Sequence, residues 1–440
     1  MDTICAVATP RGKGGIAVIR VSGESALNIT QKTVKTNKNI CEMKGYTITR
    51  GKAFYKDKIT DDCLVSVFKA PNSFTGEDVC EISCHGSFLS CDLIIKALIE
   101  NGARLANKGE FTKRAFLNGK LSLTGAEAVK DIIESKTERA LYAAVNRLDG
   151  GISKEINVLR NTLLDLLAAI QVSSDFPDED IDSFAGGKLE EKLENILNKL
   201  DNMKKSARLG EFLNNGIVCA ICGIPNTGKS SLLNSLLKRE RAIVTNIAGT
   251  TRDIVEDYLD IDGIPVKFGD TAGIRESEDV VEKKGVQKSY EYIKNADICI
   301  FVKEAGRELN EEENKILEII GNKPCIKAAN KCDIYENNEK DYLSICAKKG
   351  EGTEDIKKAI SDFAGTSPAG AMIANERQFE AVARAGESVK KALETAKSGF
   401  FSDLAAIDIE NAVSFLGEAE GISVNQETVD RIFEKFCLGK

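Results

Sequence analysis

The sequence predicts a multidomain α/β chain: an N-terminal α+β domain, an all-α helical domain split in sequence, and an inserted α/β domain built on a doubly wound sheet. Three observations predict it. Strand-like runs mix with a helical one over residues 1–118. Strands then stop, and helical patterns fill residues 119–215 and 367–440. Between those two stretches, residues 216–366 alternate strands and helices as a parallel sheet requires. A chain of 440 residues has room for roughly three domains with separate cores.

In the first part Ile16–Val21, Cys63–Phe68 and Val79–Ile82 read as strands, and Leu89–Ile99 as a helix. From about Leu123 the pattern changes. Ala126–Ile133 and Val158–Leu164 carry apolar residues three and four apart, the spacing of a helix with one buried face. Asp175-Phe176-Pro177-Asp178-Glu179-Asp180 breaks that run, and a further helix is expected from about Leu189 to Leu209. Residues 371–436 are helical again, with no strand signal. The α/β domain of residues 216–366 is therefore expected to interrupt the helical one, which domain termini lying close together at a surface permit.

That inserted domain opens on Ile217–Cys222, a short apolar run that reads as a buried strand. Next stands Gly223-Ile224-Pro225-Asn226-Thr227-Gly228-Lys229-Ser230-Ser231, which fits G-x-x-x-x-G-K-[ST], and Leu232–Leu237 follows with leucines at helical spacing. Strand, glycine loop and helix together form the context this motif needs. Bare glycine backbone approaches phosphate oxygens closely, and the helix N-terminus adds unpaired N–H groups. Asn226, Thr227, Gly228, Lys229, Ser230 and Ser231 are thus candidate phosphate contacts, with Lys229 on the outer phosphates and the Ser230 hydroxyl on Mg²⁺.

Asn330-Lys331-Cys332-Asp333 follows the apolar run Pro324–Ala329, where an N-K-x-D base-reading loop belongs. A carboxylate at Asp333 accepts from both guanine donors; adenine would leave that charge unpaired, so Asn330, Lys331 and Asp333 point to guanine. Cys346-Ala347-Lys348 matches an S-A-K loop with cysteine for serine: the backbone contacts should survive and the hydroxyl is lost. Asp270-Thr271-Ala272-Gly273 fits the D-x-x-G that positions Mg²⁺ and senses the γ-phosphate. Thr251, in Gly249-Thr250-Thr251-Arg252-Asp253, suits the remaining Mg²⁺ position. These residues point to a GTP-hydrolysing protein. Many small GTPases carry glutamine directly after D-x-x-G to orient the attacking water. Here that residue is Ile274, so another group must position the water.

Composition narrows the setting. Hydrophobic residues make up 42% and charged ones 29%, ordinary for a soluble globular protein. No apolar run reaches the roughly 18 residues of a membrane span, and Met1-Asp2-Thr3 opens without a basic leader, so neither a membrane span nor a signal peptide is expected. Thirteen scattered cysteines, several inside apolar runs, favour reduced thiols and a cytoplasmic location. Cys219-x-x-Cys222 and Cys80-x-x-x-Cys84 resemble ligand pairs but read as core cysteines, and His85 is the single histidine. A net charge of -8 does not advertise nucleic acid, so any RNA is expected to be held by a local patch or by a partner.

The combination of this phosphate loop with Ile247-Ala248-Gly249-Thr250-Thr251-Arg252-Asp253 and Asp270-Thr271-Ala272-Gly273-Ile274-Arg275-Glu276 resembles the tRNA-modification GTPase family MnmE, also called TrmE. Signatures outside the nucleotide domain carry the likeness over essentially the whole chain: Pro71–Asp78, Gly109–Lys120 and the closing Cys437-Leu438-Gly439-Lys440. The resemblance implies an N-terminal folate-binding and dimerising domain, a discontinuous helical domain, and an inserted Ras-like G domain. It also implies a homodimer that joins the FAD-dependent partner MnmG in a heterotetramer. With that partner the family installs a 5-carboxymethylaminomethyl-type group on the wobble uridine of certain tRNAs. The implied one-carbon donor is a tetrahydrofolate derivative, in 5,10-methylene or 5-formyl form.

Residue by residue, the resemblance implies a K⁺ site at Asn226, Thr245, Ile247 and Thr250, within a GTP-contacting run Thr245, Asn246, Ile247, Ala248, Gly249, Thr250 and Thr251. A monovalent cation there would stabilise phosphate charge and promote pairing of G domains. Glu282 matches the glutamate that orients the water, and Cys437 a residue of the modification chemistry. Arg20, Glu81, Lys120 and Lys440 match folate contacts: cations suit the glutamyl carboxylates, and a carboxylate accepts from pterin N–H groups. Three places depart from the pattern: Cys84–Ser87, Ala106–Gly109, and Gly269 where an aliphatic residue is usual. The competing expectation, a ribosome-assembly GTPase acting as an RNA-binding switch, would need an appendage such as a KH module; no G-x-x-G in that context is apparent.

Overall fold

The structure, a computed structural model, describes residues 2–175, 187–239, 242–244, 257–269, 291–337, 339–365, 372–398, 402–422, 424 and 426–439. These divide into two compact units. One holds the described residues of Met1–Lys130 and Glu420–Lys440, the other those of Asp131–Thr245 and Val255–Ala419.

The first unit is built on a mixed sheet of β1 (Ile4–Val7), β2 (Gly14–Ser22), β3 (Val34–Thr36), β4 (Thr47–Tyr55), β5 (Lys58–Phe68), β6 (Val79–Gly86) and β7 (Arg104–Leu105), in the order β3-β4-β5-β6-β2-β1-β7. The period of two explains which face is buried. On β6, Cys80, Ile82 and Cys84 point inward while Glu81, Ser83 and His85 alternate with them on the other face. The inward set packs with Ile19, Val21, Val65 and Val67 against Ile94 and Leu98 of α2 (Phe88–Glu100), beside α1 (Ala26–Thr33). Burial pushes the thiols of Cys63 and Cys80 up to about 12, so these cysteines behave as small apolar side chains.

Beyond β7 come α3 (Glu110–Leu117) and α4 (Leu123–Glu134), and the end of the chain packs beside them. Val429 and Phe433 of the closing helix, and Phe436 after it, join Leu123 and Ala126 in one apolar cluster flanked by Phe116. Burying each of the larger side chains contributes roughly 1.5–3 kcal/mol. Lys113 of α3 ties the closing helix further through an ion pair with Asp430 at 2.6 Å. The backbone N–H of Gly109 donates to the Cys437 carbonyl at 3.3 Å, and a Cβ added at Gly439 would run into the Val7 carbonyl oxygen. The tail is therefore docked at the end of β1, not frayed.

In the second unit α5 (Glu138–Leu148), α6 (Gly151–Asp175) and α7 (Gly187–Asn215) precede the nucleotide sheet. That sheet contains β8 (Ile217–Cys222), β9 (Ala242–Val244), β10 (Asp257–Ile261), β11 (Ile264–Phe268), β12 (Ile298–Glu304), β13 (Cys325–Asn330) and β14 (Leu343–Ser344). Its order is β14-β13-β12-β8-β11-β10-β9, with every pair parallel except those made by β10. Helices α8 (Lys229–Arg239), α9 (Glu311–Ile320) and α10 (Thr353–Ala364) accompany it. Core clusters lie on both faces, as a doubly wound sheet demands. Cys219 belongs to one and Cys222 to the other, so the pair that resembled a ligand motif is divided between two cores.

After the sheet come α11 (Glu376–Lys397) and α12 (Ser402–Glu420); the closing helix of the first unit is α13 (Gln426–Glu434). Leu163 and Leu166 of α6, Leu193 and Leu200 of α7, Val382 and Val389 of α11, and Ile409 and Leu416 of α12 form a single core. Residues from both sides of the nucleotide sheet thus build one helical body. The helix expected to end near Leu209 continues to Asn215, because Phe212 and Leu213 pack into the sheet's own core. Of the expected breaker Asp175–Asp180, α6 includes Asp175 and the rest lies outside the described residues.

Candidate functional site

The phosphate loop leaves the carboxyl end of β8, the edge of an α/β sheet where ligands bind. Asn226 sits in the left-handed region at φ +67°, and Gly228 at φ +95°, where an added Cβ would strike the Asn330 amide. Only a residue without a side chain fits there. The loop curls around Lys229, whose ammonium donates to the carbonyls of Gly223 at 2.8 Å and Ile224 at 2.7 Å. Burial lowers the Lys229 pKa below the ordinary lysine value. Thr227 closes the turn, its hydroxyl donating to Ile224 O at 2.9 Å. Asn226, Ser230 and Ser231 are exposed.

Asn330, at the end of β13, joins three loops. Its amide nitrogen donates to Thr227 O at 2.8 Å, and its carbonyl oxygen accepts from Ala347 N at 2.9 Å, with the residue only 3% exposed. The phosphate loop, the N-K-x-D loop and the Cys346-Ala347-Lys348 loop are thereby held in one register. Asp333 is held in turn by the thiol of Cys346, the main cause of its lowered pKa, and by Lys349 at 3.5 Å. The sequence counted the serine hydroxyl as lost at Cys346. Cys346 itself is buried, and its backbone N–H donates to the Glu351 carbonyl at 2.9 Å. Lys331 adopts φ +67° and pairs with Glu304 at 3.3 Å, while Lys348 is exposed.

Gly269 is explained by its neighbour: a Cβ there would lie 2.5 Å from the ring of Tyr292. Thr245, Asn246, Ile247, Ala248, Gly249, Thr250, Thr251, Asp270, Thr271, Ala272, Gly273, Glu282 and Lys440 lie outside the described residues.

In the first unit Arg20 of β2 and Glu81 of β6 are register partners, and two guanidinium nitrogens converge on Glu81 Oε1 at 2.9 Å. The rings of Phe74 and Phe111 lie 5.5 and 5.6 Å from the Arg20 guanidinium. Lys120 donates to the Pro71 carbonyl at 3.1 Å, and Cys437 is exposed on the docked tail. Sequence reasoning missed Arg114, which is 4% exposed and donates to Asp2, Glu77 and Glu110. Its signal was present: Glu110 and Arg114 stand four apart on α3. Among the described residues no group of three or more His, Cys, Asp or Glu is placed to hold a metal ion.

Two family models match the chain: one described as the MnmE helical domain, over residues 123–437, and one as the GTP-binding protein TrmE N-terminus, over residues 3–120. The chain belongs to the MnmE family of tRNA modification GTPases. The tRNA modification GTPase MnmE of Acetivibrio thermocellus is 40% identical over 455 aligned residues, spanning 100% of this chain and 99% of that protein. The MnmE of Clostridioides difficile is equally similar, at 40% with the same coverage. Among solved structures, Era of Aquifex aeolicus is 24% identical over 39% of this chain and 66% of its own, at a TM-score of 0.26, too low to bear on the fold. Membership makes the chain a GTPase acting in tRNA modification, which the linked phosphate and base loops suit.

Proposed function

We propose that this chain hydrolyses GTP to drive modification at carbon 5 of a tRNA wobble uridine, working as a homodimer with the FAD-dependent partner MnmG in the cytoplasm. The carrying observation is Asn330, which binds the phosphate loop to the base-reading loops in a chain similar to MnmE from end to end. Asp333 selects guanine, Lys229 neutralises the outer phosphates, and Ser230 with Thr251 holds Mg²⁺. The exposed hydroxyl of Ser230 suits a hard cation, and the exposed amide of Asn226 suits the larger K⁺, which Thr245, Ile247 and Thr250 would complete. When bound, these ions supply charge to stabilise the transferring phosphoryl group. Glu282 orients the water, the task that Ile274 cannot perform.

In this proposal residues 1–118 bind the tetrahydrofolate derivative and dimerise, 119–215 and 367–440 form the helical domain, and 216–366 are the G domain. Arg20, Lys120 and Lys440 receive the glutamyl carboxylates, and Glu81 a pterin donor. The pairing of Arg20 with Glu81 supports this in part, since it orients both side chains in advance of any ligand. Cys437 serves the modification chemistry and not GTP turnover. Nucleoside analysis of tRNA from a strain lacking this protein tests the whole reading: the hypermodified wobble uridine should vanish and return on complementation. Cys437→Ser should keep hydrolysis and lose modification; normal modification would reduce Cys437 to packing.

A further inference from the structure

Between the two segments that carry Thr251 and Asp270 the sequence folds as the hairpin β10–β11, whose tip is Asp262-Gly263. The helical region grips that tip. Thr137, the N-cap of α5, accepts from Ala140 N at 3.2 Å while its hydroxyl donates to Gly263 O at 2.6 Å. Arg139 donates to the Asp262 carbonyl at 3.3 Å, and the Lys136 ammonium lies 3.6 Å from the centre of the Tyr258 ring. Ala140, buried in the first turn of α5, belongs to the same core cluster as Leu259, Ile261 and Ile264 of the hairpin. Gly263 is at φ +81°, and a Cβ there would lie 2.6 Å from Cβ of Arg139. Glycine at the tip lets the hairpin backbone come right up to the Thr137 and Arg139 side chains of the helix start.

We infer that α5 reads the nucleotide state of the G sheet through this latch, with Thr137 as the positioning residue. One hydroxyl caps the helix and holds the hairpin together. A shift of the hairpin toward or away from α5 therefore breaks or remakes the Gly263 bond and alters the cap in the same step. Peptide groups make a better sensor than side chains here, because a carbonyl at a hairpin tip moves only with the strand pair. In sequence this strand pair leads directly into both proposed phosphate-sensing segments. The inference rests on the proposed coupling of GTP hydrolysis to modification, in that the latch supplies the coupling's first step.

The test is hydrogen–deuterium exchange of the full-length protein in GDP and in GDP with aluminium fluoride. Amides of residues 138–142 should differ in protection between the two states by at least roughly fivefold, the low end of coupling factors between sites. Thr137→Val should abolish that difference while GTP hydrolysis changes by less than about twofold, and Thr137→Ser, which keeps the hydroxyl, should restore it. If Thr137→Val fails to fold, the double variant Lys136→Ala with Arg139→Ala decides: a diminished difference supports the latch, an undiminished one overturns it. Equal protection in both states of the wild-type protein also overturns it. A wild-type protein that shows the difference but leaves wobble uridine unmodified in cells refutes the proposed modification and keeps the latch.

Discussion

In the nucleotide sheet the candidate residues leave the carboxyl ends of β8 and β13 in contiguous loops, whereas in the N-terminal sheet Arg20 and Glu81 face each other from the interiors of two strands, 61 positions apart. The loops are held by backbone: Lys229 on two carbonyls, and Asn330 between Thr227 and Ala347. The strand pair is held by the register of β2 against β6 and by the partners' own charges. Backbone-held loops tolerate neighbours of many kinds but not changes within the motif. A cross-strand pair depends on every residue that sets the register, and a slip of one strand by one residue would turn its member of the pair to the other face.

The largest effect should come from the loop side. Lys229→Ala removes the cation proposed to neutralise the outer phosphates and should lower GTP hydrolysis by roughly 10²–10³-fold, the scale of a lost transition-state donor. A smaller loss would mean that another group carries the charge, and single-turnover kinetics would show it. Asp333→Asn comes next. Losing a charged hydrogen-bond acceptor should weaken GTP roughly 10–100-fold, while xanthosine triphosphate, with its altered base edge, should bind better. Unchanged GTP affinity in a titration would remove Asp333 from base recognition.

On the strand side the effects should be smaller and coupled. Arg20→Ala and Glu81→Gln should each weaken binding of a tetrahydrofolate derivative, measured by calorimetry. The double variant should lose less than the sum, with a coupling of roughly 0.5–3 kcal/mol because each side chain orients the other. Strict additivity would make the pair two independent surface charges. Smallest of all is His85. Its hydrogen bond to Asp61, then their charge attraction, raises its pKa above the ordinary 6.5, although the ring is 73% exposed. A raised folded-state value stabilises the fold fully below about pH 6.5 and fades as pH climbs through the higher folded value. His85→Gln should therefore narrow the gap in melting temperature between pH 6 and pH 8; an unchanged gap would sink the assignment.

The same contrast explains what the sequence made legible. Phosphate and guanine contacts need particular residue types at fixed short spacings, so Gly223–Ser231 and Asn330–Asp333 stand out in one dimension. Strand alternation on β6 and the helical spacing from Leu123 onward were equally visible, because burial imposes a period. Arg20 and Glu81 carry no such spacing and were reached only through family resemblance. The bridging role of Asn330 was hidden for a different reason: a motif tells which residue reads a base, not which one ties two loops. The α5 latch left no mark at all, since Thr137 is an ordinary N-cap until Gly263 is placed beside it.

The docked tail also sets a timetable for the chain's biosynthesis. Lys113 and Asp430, which pair in the finished first unit, are 317 positions apart. At roughly 5–20 residues per second, a ribosome spends about 15 to 60 seconds between making one and the other. Throughout that interval the faces of Phe116 and Leu123 that later meet Phe433 are without their lid. The helical body and nucleotide sheet are synthesised while this seam is still open, so any product cut short before Gln426 carries an unsealed apolar surface for chaperones and proteases to find.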